Sequence, residues 1–269
     1  MRYTVHHTTQ YKYLQKANYS IQALRLWPAE FDGQKLIAWD IKIENADLTR
    51  LSHDGFGNLI YLATLSEPHR EIQVEAHGEV EVEDRTGVVA GLNEAARPRV
   101  FLRETPQSFA DEAIKSFARS HKQADTLERL HSLSENLAMK ISFTVGATKA
   151  ATTACEVFEL GEGVCQDFSH VFIAAARSLN IPARYVTGYL FTGDDKSFEA
   201  HHAWAEAWVE NLGWVGFDVA NGVCTTDKYV RLASGLDARS AAPIRGSQQG
   251  GAIEDLDVQV YVQQQQVQS

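Results

Sequence analysis

The stretch that decides the fold is GEGVCQDFSHVFIAAARSLNIPARYVTGYL, residues 161–190. It sets Cys165 between a glycine-rich approach and a segment of mostly small and apolar residues. The pattern predicts a helix over 165–179 that stops before Pro182, since the residue before a proline avoids the helical region. A strand is predicted next, over 184–191. A buried structural cysteine needs no such setting, whereas a nucleophilic cysteine does.

The first position of a helix favours a reactive thiol. Several unpaired backbone N–H groups and the positive end of the helix macrodipole converge there, and both favour the thiolate. Gly161 and Gly163 let the backbone approach closely, and the N–H of Cys165 is placed to stabilise an oxyanion. The competing interpretation is that Cys165 only fills space, because free cysteine is among the most buried residue types. This segment alone leaves both open.

A second stretch, EAHHAWAEAWVENLGWVGFDVANG (199–222), supplies a base and an orienting group. It predicts strands over 202–210 and 213–219. In the first strand His202 shares a face with large and acidic side chains, while alanines on the other face can pack on a helix. A hairpin symmetric about residue 210 puts His202 directly opposite Asp218, with Cβ atoms about 5 Å apart.

Cys165, His202 and Asp218 then form a nucleophile, a base and an orienting carboxylate. The same symmetry places Glu206 opposite Trp214. Glu206 is expected to pair with an arginine such as Arg184 rather than act as an acid. The neighbouring His201 points to the opposite face, lacks a partner in this register and is the weaker candidate for the base.

The rest of the chain divides in two. Residues 1–83 alternate or are rich in β-branched and aromatic residues, which predicts an antiparallel β domain. After residue 100 the pattern is helical, with a first helix capped at Thr105, and strands follow the helices. This order predicts an α+β fold rather than a doubly wound sheet. We expect an N-terminal β domain over 1–100 and a catalytic core over 101–269, with residues 225–252 irregular.

Composition excludes several classes of protein. The 269 residues carry a formal net charge of -10, which argues against a nucleic-acid surface. No apolar run approaches the ~20 residues of a membrane span. The first residues alternate like a strand, so we predict no signal peptide and a cytoplasmic location. The three cysteines form no CxxC pair, which argues against a disulfide framework and a zinc ribbon. Cys155 and Cys224 are interpreted as structural thiols.

Three blocks resemble the bacterial branch of the transglutaminase-like superfamily: GVCQDFSHVFIAAARSLNIPARYVTGYL, HHAWAEAWV and GWVGFDVANG. They match the cysteine, histidine and aspartate motifs of that family in order and spacing. YTVHHTTQYKY, LRLWP and DGFGN resemble the β domain that precedes the core in many members, and GLDARSAAPIRG and LDVQVYV its C-terminal part. One departure is Val219, where the family often has proline, and this affects the expected geometry of the local loop but not the triad.

The resemblance implies a papain-like core, in which the cysteine lies on a central helix packed against an antiparallel sheet. It implies Cys165 as the nucleophile, His202 as the base and Asp218 as the orienting residue. The chemistry implied is amide acyl transfer, and members of this branch are mostly regarded as candidate cysteine proteases. The family's second oxyanion donor is a side chain upstream of the cysteine, for which the region of Phe143–Thr144 is the candidate.

These observations predict a cysteine peptidase or amidase that hydrolyses a peptide or side-chain amide, without a metal or other cofactor. Hydrolysis is preferred over cross-linking because water needs no second binding site. One alternative is a transamidating cross-linker, and another is a catalytically silent binding protein on the same fold. A metal site built from Cys155, Cys165 and His202 lacks ligand spacing. The expected partner is a peptide or protein amide, not nucleic acid or a membrane, and the oligomeric state is left open.

Overall fold

The computed structural model describes residues 1–193 and 201–265. Its N-terminal part is a run of strands, in which buried and exposed side chains alternate with the period of two that a strand imposes. They are β1 (Arg2–Leu24), β2 (Gln34–Ile43), β3 (Asp47–His53), β4 (Leu59–Leu65) and β5 (His69–Val82). The predicted antiparallel β domain is confirmed.

The middle of the chain is mainly helical. Its elements are β6 (Val88–Val89), a 3₁₀ turn (Pro98–Leu102), α1 (Glu112–Ser120), α2 (Thr126–Lys140), β7 (Ser142–Phe143), α3 (Ala154–Leu160), β8 (Glu162–Gly163) and α4 (Cys165–Ser178). The helix cap predicted at Thr105 is wrong. Thr105 bonds to Ser108 in a turn, and the side chain of Asp111 accepts from the N–H of Ile114, so that α1 begins later.

Strands dominate again after α4. They are β9 (Ala183–Leu190), β10 (His201–Val209), β11 (Gly213–Asp218), β12 (Val223–Cys224), β13 (Tyr229–Gly235), β14 (Ile244–Gly250) and β15 (Ile253–Gln264). The expectation that residues 225–252 are irregular is therefore wrong. Every residue of β13 is buried, so this strand lacks the polar alternation that would have revealed it.

The first sheet is built around the long strand β1. Its order is β2-β5-β1-β4-β3, and β14 and β15 also pair with β1, all antiparallel. β1 changes partners along its length, from β5 to β4 between Ala17 and Ser20 on one edge and from β15 to β14 between Tyr13 and Ala17 on the other. Residues 244–264 thus lie in the N-terminal sheet, which differs from their predicted place in a core over 101–269. The division at residue 100 stays a prediction.

The second sheet carries the central helix. Its order is β12-β11-β10-β9-β13, with β6 paired to β11. Nearly every side chain of α4 is buried. Its apolar residues share one core cluster with Ala203, Ala205 and Ala207 of β10, which are small enough to let the helix approach the sheet closely. The α+β class, with the cysteine on a central helix packed against an antiparallel sheet, is confirmed.

Among the residues described, no helix is both long and apolar enough to cross a membrane.

Candidate active site

The turn that precedes α4 is held by a buried carboxylate. Asp167 Oδ2 accepts the backbone N–H of Val164 at 2.9 Å and the hydroxyl of Thr148 at 2.6 Å. Asp167 is completely buried, and burial raises its pKa. A Cβ atom on Gly163 would lie 2.7 Å from the Cβ of Asp167, so only glycine fits there. These contacts fix the position of Cys165, the half-buried first residue of the helix.

The hairpin of β10 and β11 has a register different from the predicted one. Glu206 lies opposite Gly216 rather than Trp214, and Trp208 lies opposite Trp214. The turn is centred on Asn211, which adopts a positive φ of 65°, and not on residue 210. The register is therefore shifted by two residues, which keeps every side chain on its predicted face.

The shift makes His202 and Asp218 diagonal rather than direct neighbours. Diagonal pairs have Cα atoms about 7–8 Å apart, a distance that long side chains span. His202 Nε2 and Asp218 Oδ2 are 2.6 Å apart. The predicted direct opposition is thus wrong, whereas the two side chains do meet.

Asp218 accepts further hydrogen bonds in a site closed to solvent. Its Oδ2 accepts from the side-chain amide of Asn221 at 2.7 Å and from the hydroxyl of Tyr229 at 2.8 Å. Burial acts to raise the pKa of Asp218, but the bonds from His202, Asn221 and Tyr229 outweigh it and lower the pKa. The carboxylate is therefore ionised and fixed in orientation.

His202 connects this carboxylate to the thiol. Its Nε2 is bonded to Asp218, and the thiol of Cys165 lies close enough to the ring to act on its pKa. Because Nε2 is bonded to the carboxylate, Nδ1 remains for the sulfur. Burial acts to lower the pKa of His202, but the bond to Asp218 and the interactions with Asp218 and Cys165 raise it to about 10. The structure thus brings the three residues singled out from the sequence into one line, and their catalytic roles stay predictions.

Asn221 and Tyr229 were not expected at this site. Asn221 follows Asp218 by three residues, and its backbone N–H and side-chain amide both donate to the Asp218 carboxylate. Tyr229 gave no signal, since it begins β13, which pairs with β9 and not with its neighbour in sequence.

Two further histidines lie beside the site. His201 Nε2 is 2.9 Å from the hydroxyl of Thr187. His7, from β1, is buried and has both ring nitrogens bonded, to the hydroxyls of Tyr189 and Thr9 at 2.9 and 2.8 Å. Burial lowers the pKa of His7 to about 3, and desolvation together with the charge of His202 lowers that of His201. Both are neutral at pH 7.

A cleft of about 480 Å³ opens onto Cys165 and His202. The core supplies its floor, including Phe143 and Val145. The first sheet supplies its roof from strands β1 and β15. The N-terminal domain and the C-terminal strand therefore both help to form the candidate site.

Beneath β10 lies a buried ionic network. Glu206 accepts from Arg184 Nε at 2.5 Å and from Arg231 Nε at 2.8 Å, and all three side chains are at most 5% exposed. Burial acts to raise the pKa of Glu206, but the two arginines lower it to about 2. The expected pairing with Arg184 is confirmed, and the network ties β9, β10 and β13 together.

The other two cysteines differ in their surroundings, and Cys224 lies opposite Phe217 in the pair of β11 and β12. Cys155 Sγ donates to the carbonyl of Phe109 at 3.5 Å, and burial raises the pKa of Cys155 and of Cys224. Within residues 1–193 and 201–265, no three His, Cys, Asp or Glu side chains are grouped so that they could hold a metal ion.

Two family models match the chain. The bacterial transglutaminase-like N-terminal region matches residues 3–81, and the transglutaminase-like superfamily core matches residues 115–219. The chain belongs to the transglutaminase-like superfamily. The core match spans Cys165, His202 and Asp218, and the N-terminal match spans most of β1 to β5.

Relatives cover nearly the whole length of this transglutaminase-like chain. An uncharacterized protein of Mycobacterium leprae (strain TN) is 28% identical over 281 residues, covering 97% of this chain and 98% of its own. An uncharacterized protein of Mycobacterium tuberculosis (strain ATCC 25618 / H37Rv) is 29% identical over 273 residues, covering 91% and 87%. A structure from Cytophaga hutchinsonii, described as a "putative cysteine protease", has a TM-score of 0.77 at 19% identity, covering 99% of this chain and 92% of that one. That structure has the same fold in both domains.

Proposed function

We propose that this protein is a thiol-dependent amidase or peptidase that works through an acyl-enzyme on Cys165. The observation that carries the proposal is the placement of Cys165 beside His202 at the edge of an open cleft, with His202 bonded to the buried carboxylate of Asp218. A merely structural cysteine would not need a histidine that is itself oriented by a buried carboxylate.

In the proposed acylation step the thiolate of Cys165 attacks the carbonyl carbon of an amide. The carbonyl electrons move to oxygen and form a tetrahedral oxyanion. His202, as the imidazolium, donates its proton to the amide nitrogen as the C–N bond breaks. An amine leaves, and the acyl group remains as a thioester on the sulfur.

In the proposed deacylation step neutral His202 takes a proton from water, and the oxygen of that water attacks the thioester. Collapse of the second tetrahedral species breaks the C–S bond, releases a carboxylic acid and restores the thiolate–imidazolium pair. Asp218 keeps the ring in one orientation and stabilises its positive charge throughout. An amine in place of water would give transamidation, which needs room for a second substrate.

The oxyanion needs donors that are fixed before the reaction. The backbone N–H of Cys165, at the first position of α4, is one candidate, because the first N–H groups of a helix have no partner within it. The predicted second donor near Phe143–Thr144 stays a prediction. The backbone N–H of Thr144 is already donated to the carbonyl of Gly163 at 2.9 Å, which leaves its side chain as the candidate group.

The test is product analysis in H₂¹⁸O with a peptide library, carried out with and without an added primary amine. Hydrolysis incorporates ¹⁸O into new carboxylates, whereas transamidation adds the mass of the amine. Cys165→Ala is the control and should give neither product. Failure of the wild-type protein to form an acyl-enzyme with any activated acyl donor would refute the proposal and favour the silent binding protein. The partner is a peptide or protein amide, and the cytoplasmic location stays a prediction.

A further inference from the structure

The roof of the cleft continues the apolar face of the first sheet. Along β15, Val260 and Val262 are buried in the core of the N-terminal domain. Leu256 and Val258 lie on the same face, since they follow the period of two, but they are 53% and 42% exposed. The same apolar face of β15 is therefore buried at Val260 and Val262 but exposed to solvent at Leu256 and Val258, where it lines the cleft.

The floor of the cleft is apolar as well. Phe143 and Val145 are 57% and 79% exposed although both are large hydrophobic residues. They lie in the same cleft as Leu256 and Val258. Single exposed apolar side chains are ordinary, but a facing group beside a candidate nucleophile indicates a binding surface.

Outside the Cys165–His202 pair, charge is missing from this surface. Among the described residues that line the cleft, none is Asp, Glu, Lys or Arg. The ionisable groups there, apart from Cys165 and Tyr11, are histidines, of which His7 and His201 are neutral at pH 7. A charged side chain of a substrate would lose water in the cleft and find no charged partner outside the Cys165–His202 pair, which disfavours its binding.

We propose that this cleft is a specificity pocket that receives an uncharged, apolar side chain of the amide substrate, with Leu256 and Val258 as its roof and Phe143 as its floor. The proposal rests on the proposed function for the reaction that follows binding. It assigns the N-terminal sheet and the C-terminal strand a direct part in choosing the substrate. The occupant is an aliphatic or aromatic group next to the scissile carbonyl.

The test uses chloroacetamides, which alkylate the thiol without requiring turnover. N-benzyl-2-chloroacetamide, 2-chloroacetamide and chloroacetylglycine are compared on a chain in which Cys155 and Cys224 are replaced by serine. Each second-order rate constant is divided by that for free N-acetylcysteine, which removes the intrinsic reactivity of the probe. We expect the benzyl probe to be favoured about tenfold or more over chloroacetamide, from burial of its ring, and the anionic probe to be disfavoured.

Val258→Glu should bring the ratio of benzyl to unsubstituted probe close to one. Gln259→Glu is the matched control, because Gln259 is exposed and, as the residue next to Val258, lies on the opposite face of β15. It should keep the preference. Phe143→Gln, at an exposed position of the floor, should reduce the same ratio and serves if Val258→Glu does not fold by circular dichroism.

Equal corrected rates for the probes on the wild-type chain, or a preference that survives both Val258→Glu and Phe143→Gln, would overturn the pocket. The outcome is separable from that of the proposed function. A benzyl preference without any amide turnover would keep the pocket and refute the amidase. Amide turnover without a preference for apolar acyl groups would keep the amidase and refute the pocket.

Discussion

His202→Ala should remove the reactivity of Cys165 toward iodoacetamide below pH 7. The pKa of His202 is raised from 6.5 to about 10 by the bonds and charges of Asp218 and Cys165, so the ring stays protonated over the whole range from pH 4 to 9. A cationic imidazole beside a thiol favours the thiolate. Without the ring this stabilisation is lost.

The size of the effect follows from the fraction of thiolate. An ordinary thiol, with a pKa of about 8.5, is only ~0.3% ionised at pH 6. A fully ion-paired thiolate would therefore react up to ~300-fold faster from its population alone. An ion-paired thiolate is also less nucleophilic, which removes about a factor of ten. We expect His202→Ala to slow alkylation at pH 6 by about 30-fold and to change the rate little at pH 10.

The assay follows the rate from pH 4 to 10 by intact-mass spectrometry, with Cys155 and Cys224 replaced by serine so that one thiol reports. His201→Ala is the discriminating control, since this rival lies on the opposite face of β10 and is bonded to Thr187. It should change the rate at pH 6 by less than about threefold. Superimposable profiles for the wild type and His202→Ala would refute the ion pair and, with it, the role of His202 as the base.

Three further predictions concern the groups around the site. Tyr229→Phe removes one donor to the orienting carboxylate and should slow alkylation at pH 6 several-fold, the loss of about 1 kcal/mol, without changing the rate at pH 10. Gly163→Ala should lower both the unfolding free energy, by about 1–3 kcal/mol, and thiol reactivity, whereas Gly55→Ala, whose added Cβ meets nothing within 4 Å, should leave both unchanged. Glu206→Gln should cost about 3–5 kcal/mol in urea unfolding because the buried Arg231 loses its ionic partner and the buried Arg184 keeps only Glu94, with the exposed Glu210→Gln as control. In the folded protein the pKa of Glu206 is about 2, below the ordinary 4.5, so the stability difference between wild type and Glu206→Gln should shrink as pH falls from 4.5 toward 2. A stability difference that does not change with pH would contradict an ionised Glu206.

The parts predicted correctly from the sequence are those with a local cause. The alternation in β10 fixed which side chains share a face with His202, and the run of small residues in α4 fixed its burial. The exact register was wrong because it depends on the centre of a turn, and Asn211 at positive φ moved that centre by one residue. Because side chains alternate with a period of two, a shift of two residues in the pairing leaves each side chain on its predicted face of the sheet. The prediction that His202 and Asp218 share a face therefore did not depend on the exact register.

The parts that were missed depend on contacts between distant segments. β14 was predicted to be irregular because its segment, RGSQQG, lacks apolar alternation, and its position is set by pairing with the far end of β1. Tyr229 reaches Asp218 only because β13 joins the sheet beside β9. No local pattern carries that information, since the partner of a strand is chosen by the whole sheet.

The architecture separates the two demands that an acyl-transfer site makes. Reactivity requires rigid placement of the sulfur, the ring and the carboxylate, and these lie on α4, β10 and β11, which pack in one core. Recognition requires an open apolar surface, and in the proposed pocket this comes from β15 of the other sheet together with Phe143 and Val145. Because β15 is joined to that sheet by pairing with β1 alone among the described strands, changes to its exposed residues need not disturb the core. Substitutions on β15 should therefore alter which probe reacts fastest while leaving the pH profile of Cys165 unchanged, whereas substitutions around Asp218 should do the opposite.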